Sequence, residues 1–149
     1  MVPTFPDSPF GDRITADEIL DNMGFLDDWE DRYRYIIDLG KSLPELPDNL
    51  KTEENMVRGC QSQVWLVHHH DPDDNQFIMA VDSDALIVRG LAAMVLAALN
   101  KHTPEEIVNT DMEAYFGKLD LLKHLSPTRG NGLRAMVQRI RQEASQCLS

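Results

Sequence analysis

The chain has 149 residues, enough for one domain that buries about two thirds of its unfolded surface without disulfide or metal staples. Hydrophobic residues make up 42%, yet no run is apolar and long enough to span a bilayer. A formal net charge of −11 argues against nucleic acid and against an anionic membrane surface, since both are bound through clustered Lys and Arg.

Residues 1–14 are rich in proline and turn residues and are predicted to form a partly ordered arm ahead of a single domain over 15–149. They carry acids and prolines where a signal peptide needs a basic region and an apolar run, so a cytoplasmic location is expected. Thr15 with Glu18 has capping-box spacing, and Asp27 with Glu30 comes near to it. The second pair opens a helix whose predicted apolar face is Trp29, Tyr33, Ile36, Ile37 and Gly40, ended by Pro44 and Pro47. Beyond the cysteine at position 60 the period changes. VWLVHHH (64–70) and QFIMAVDS (76–83) flank the turn-rich DPDDN and predict a β-hairpin.

Asp82 or Ser83 is positioned to cap the next helix, with Ile87, Leu91, Met94, Val95, Ala98 and Leu99 as a broad buried stripe. Thr103-Pro104-Glu105-Glu106 and Ser126-Pro127 are two further helix starts. Past Gly130 and Gly132, the last helix carries Leu133, Met136, Val137, Ile140 and Ala144 on one face. The sum is an α+β domain, a small antiparallel β-sheet packed against several helices.

Only two cysteines occur, Cys60 and Cys147, and their wide separation is no disulfide framework; both are expected as reduced thiols. Besides a buried small side chain, Cys60 has three possible jobs. A cysteine-dependent hydrolase needs a histidine base, and the candidates are His68, His69, His70, His102 and His124. Strand alternation splits the consecutive three between two faces. A metal or cluster site needs three or four converging soft ligands, which two cysteines do not supply. Thiol exchange needs only access, a thiolate fraction and shelter from oxidation. Gly59 gives the loop backbone freedom, Gln61, Ser62 and Gln63 offer hydrogen bonds, and Arg58 either favours the thiolate or is a solvated charge.

ENMVRGCQSQVWLV, from Glu54 to Val67, resembles the signature of the SufE family, sulfur-accepting partners of cysteine desulfurases. Trp29 to Lys51, DSDALIVRGLAAMV (82–95) and LSPTRGNGLRAMVQRIR (125–141) resemble further family segments, so the likeness runs from about residue 15 to 145. SPFGDRITADEI is similar to the CsdE branch, whereas Gln61 to Val64 are similar to SufE proper; Val81 stands where the family often has glycine.

The resemblance implies a SufE/IscU-like scaffold fold without the additional cysteines of a cluster scaffold. It implies that Cys60 takes sulfur from the persulfide of a pyridoxal-phosphate cysteine desulfurase, SufS- or CsdA-like, and passes it to a downstream acceptor in iron–sulfur cluster assembly. The chain itself would then need no cofactor, would stimulate the desulfurase, and would have no reaction of its own on cysteine. The resemblance further implies a resting loop tucked into an apolar cavity, which the helices starting near Ser83 and Ser126 could line together with Trp65, a residue that also reads simply as a core aromatic. Gln61, Ser62 and Gln63 are expected to shape the loop and Arg129 to dock or position it. Cys147, in the polar tail, is expected to be a bystander.

Overall fold

The computed structural model describes residues 5–148. Helices α1 (Ala16–Gly24) and α2 (Trp29–Lys41) lead through a short 3-10 helix (Asp48–Leu50) to the cysteine loop. The hairpin β1 (Val64–Asp71) and β2 (Gln76–Ser83) follows, then α3 (Leu86–Leu99), α4 (Pro104–Asn109) and α5 (Met112–Lys118). A second 3-10 helix (Leu122–His124) precedes α6 (Pro127–Gln146). The two strands form an antiparallel sheet in register from Val64 opposite Ser83 to Asp71 opposite Gln76.

Local chemistry sets most of the helix starts. Thr15 and Ser126 accept from the backbone N–H of Glu18 and Arg129, and Thr103 with Glu106 forms a complete capping box. The cap of α2 is Asp28 rather than Asp27: its Oδ1 accepts from Asp31 N at 2.9 Å, while Glu30 turns outward to Arg34. On that helix Leu39, not Tyr33, completes the buried face with Ile36 and Gly40, and Tyr33 stays exposed.

Neither Asp82 nor Ser83 caps α3, which begins after Ala85 without a side-chain cap. Asp82 is committed elsewhere. Its Oδ2 accepts from Leu46 N at 2.9 Å and lies 3.5 Å from Lys51 Nζ, and its Oδ1 pairs with Arg89. Ser83 Oγ instead accepts from Ala85 N at 3.2 Å. The last helix starts at Pro127 and runs through both Gly130 and Gly132, since neither glycine is in a left-handed conformation.

The core centres on α3, which is apolar all round because α2, β2, α1 and α6 all pack on it. Where α2 crosses α3, the backbones touch. A Cβ on Gly90 would stand 2.0 Å from Ile36 O, and one on Gly40 would stand 2.7 Å from Gly90 N. Ahead of α1, Phe10 is fully buried, held by Asn100 Nδ2 donating to its carbonyl at 2.9 Å. A smaller apolar cluster of Leu46, Trp65 and Ala80 lies apart from this core.

Candidate functional site

The cysteine loop is the tip of an irregular hairpin. Met56 bridges Trp65 in antiparallel fashion, with Val57 N donating to Val64 O and Leu66 N to Asn55 O, both at 2.8 Å. Residues 58–63 span the gap. Gly59 makes the turn at φ +92°, in the left-handed region where a side chain is strained. At the far end Gln63 N donates to Asp84 Oδ1 at 3.1 Å, and Asp84 N donates back to Gln63 O at 3.4 Å.

At this tip Cys60 faces a small pocket of about 60 Å³. Cys60, Gln61 and Ser62 close one side, Val88 and Leu91 of α3 another, and Thr128, Arg129, Gly132, Leu133 and Met136 of α6 the third. The thiol donates to Gly132 O at 3.4 Å, a long contact suited to sulfur. Position 132 lacks a side chain, and a Cβ there would meet the thiol at 3.5 Å, an ordinary contact distance. Arg129, at the rim, donates from Nη1 to Tyr33 Oη at 3.1 Å and so links α6 to α2.

Burial pushes the Cys60 thiol above its ordinary pKa. No charge offsets this: Arg58 is exposed, 3.8 Å from Glu53, and contributes nothing to the thiol. The role of Arg58 as a thiolate partner is therefore not met in this conformation. Trp65 is a second correction, because it packs with Leu46 and Ala80 under Lys51 and not in the pocket of Cys60. Strand alternation explains this: Trp65 points to the face opposite Val64 and Leu66, which enter the main core. The helix faces supply the shelter without it. Gln63 borders the loop but not the pocket, whereas Gln61 and Ser62 line it.

No histidine lines the pocket. His68 stacks on Phe77 and pairs with Glu143, His70 bonds Asn75, and His124 stacks on Trp29. The thiol's partner is a carbonyl oxygen, which orients the S–H but is far too weak a base to remove its proton. The hydrolase reading has no base at this site. Among the described residues, no group of three or more His, Cys, Asp or Glu side chains is placed to hold a metal ion. Cys147 caps the end of α6, its Sγ 3.8 Å from Glu143 O.

Several members of the site carry no mark in the sequence. The Gly132 carbonyl, Tyr33 and Asp84 enter it only through folding.

Residues 17–144 match the SufE family, described as the Fe-S metabolism associated domain. An uncharacterized SufE-like protein of Rhizobium meliloti is 52% identical over 132 residues, covering 87% of this chain and 94% of that one. Another from Rhizobium etli is 52% identical over 141 residues, covering 91% and 95%. The solution structure of a hypothetical protein from Thermus thermophilus superposes with a TM-score of 0.73 over 96% of this chain and 98% of the other. At 19% identity that likeness speaks for the fold alone. With a sheltered single cysteine on a glycine-hinged loop and a family match along most of its length, this chain belongs to the SufE family.

Proposed function

We propose that Cys60 accepts the outer sulfur of a persulfide on a pyridoxal-phosphate cysteine desulfurase in the cytoplasm, and that the chain thereby stimulates that enzyme. In the exchange the Cys60 thiolate attacks the outer sulfur. A new S–S bond forms on Cys60 as the old one breaks, and the desulfurase cysteine leaves as thiolate, with no net oxidation. The sulfur then passes to a downstream acceptor of iron–sulfur cluster assembly. Arg129, Gln61 and Ser62 meet the partner, since they line the pocket of the thiol, together with Gln63 at the end of the same loop. The observation that supports this most is a lone thiol with a carbonyl partner and no base: suited to exchange, unsuited to hydrolysis.

The test is incubation with a desulfurase, pyridoxal phosphate and cysteine, followed by intact mass. Cys60 is expected to gain about 32 Da, one sulfur atom. Cys60→Ser should abolish both the gain and the stimulation, because a hydroxyl does not exchange with persulfides near neutral pH. Cys147→Ser should leave both largely intact. If the Cys147 variant is the inactive one, the acceptor is misassigned.

A further inference from the structure

A charged cluster on α6 lies outside the pocket of Cys60. Arg139 of α6 donates from Nη1 to Met56 O and from Nη2 to Glu54 O, both at 3.1 Å, across more than eighty residues of chain. Its Nε donates to Glu143 Oε1 at 2.6 Å, and Glu143 Oε2 lies 2.7 Å from His68 Nδ1 on β1. His68 is itself fixed by stacking on Phe77, with ring centroids 4.8 Å apart.

The place of these contacts is informative. Met56 pairs with β1 through the N–H and C=O groups of its neighbours, so its own carbonyl faces away from the sheet and lacks a strand partner. Arg139 supplies that partner with a planar fork that serves two carbonyls at once. One face of α6 thus grips the cysteine loop at two levels. Gly132 holds the thiol at the tip, Ala135 lies under Gly59, and Arg139 holds the root seven residues further along.

Resting on the reading of Cys60 as a sulfur acceptor, we propose that Arg139 is a positioning residue, a clasp braced by Glu143 and His68. The clasp fixes the root of the loop so that only residues beyond Gly59 swing outward. It keeps the thiol sheltered between encounters and confines its travel when a partner draws it out. With the fork removed, the root at Glu54–Met56 lifts from α6, and the open population of the loop rises.

The experiment measures iodoacetamide alkylation of both thiols in the folded full-length chain, for the parent, Arg139→Met and Arg139→Lys. Arg139→Met keeps the apolar stem and removes the fork. Cys60 should then react about tenfold faster or more, the order expected when charge-assisted hydrogen bonds that hold a local opening closed are lost. Cys147, which Arg139 does not touch and which sits beside Glu143, should show no such acceleration. Arg139→Lys, with one ammonium in place of the fork, should fall between parent and Met. Native-state hydrogen exchange at Val57 N–H and Leu66 N–H should speed up in the same order.

A Cys60 rate unchanged in Arg139→Met, or an equal rise at both thiols, would overturn the clasp; the second outcome marks general destabilisation. These readouts need no desulfurase. Failure of Cys60 to take up sulfur therefore sinks the functional reading alone, and unaltered alkylation sinks the clasp alone.

Discussion

As the proposed acceptor, Cys60 stands under opposing demands, because exchange needs a thiolate and survival between encounters needs shelter. The resting geometry leans to the second demand: partial burial among α3 and α6 raises the thiol pKa, and no cation lowers it. The sign follows. A folded pKa raised above the unfolded one means stability that is fully present below the unfolded thiol pKa and declines as pH rises through the folded value. In a Cys147→Ser background, which removes the other raised thiol, melting temperature should therefore fall more steeply above about pH 9 than in the same chain carrying Cys60→Ser. Parallel pH curves for the two would mean that the thiol is solvated at rest. The candidate thiol stood out in the sequence because the glycine, the amide side chains and their flanks are contiguous. Its surroundings were not, since the Gly132 carbonyl lies 72 positions away and its approach depends on how α6 docks.

At the scale of elements, two features tie helices and strands together, and both invite substitution. Gly90 lets α3 approach α2 so closely that a Cβ would stand 2.0 Å from Ile36 O, backbone that has no room to give. Gly90→Ala should cost about 3 kcal/mol, the upper end of the usual range for overpacking, because the contact is with backbone. Gly117→Ala, in α5 with nothing within 4 Å, should stabilise by about 0.5–1 kcal/mol. Urea unfolding of the pair checks this, and similar midpoints for both would refute the close crossing. The second feature is buried Asp82, which joins β2 to Arg89, Lys51 and the Leu46 amide. Asp82→Asn leaves Arg89 buried without its carboxylate and should cost about 3–5 kcal/mol in the same assay. Sequence patterning found the hairpin and the caps at Thr15, Thr103 and Ser126, because period and capping are local. It misplaced Asp82 as a cap since a carboxylate before a helix looks the same whether it caps or pairs. Helix α5 was missed because seven residues are too short for periodicity to show.

For the molecule as a whole, the proposed sulfur transfer needs two loop states, one sheltered and one presented. The features required for such a swing are present: Gly59 at φ +92° as hinge, a small pocket at the tip and the Arg139 clasp at the root. Trp65, a candidate for the shelter from sequence, braces the other side of the sheet instead, so the pocket is made by α3, α6 and the loop itself. A partner shifts such an equilibrium only by binding the presented state better than the sheltered one. The free chain should accordingly react with iodoacetamide at Cys60 at least about tenfold more slowly than a small thiol of equal pKa, an opening free energy of about 1.4 kcal/mol or more. Adding a desulfurase variant that lacks its own nucleophilic cysteine should raise that rate, because the loop is drawn out with nothing to react with. The control is Trp65→Ala, which should lower stability by about 3–5 kcal/mol through its own cluster yet leave Cys60 alkylation near the parental rate under conditions where the variant is folded. If Cys60 in the free chain reacts as fast as a small thiol, and the desulfurase variant only blocks it, then the loop is open at rest and the two-state account fails.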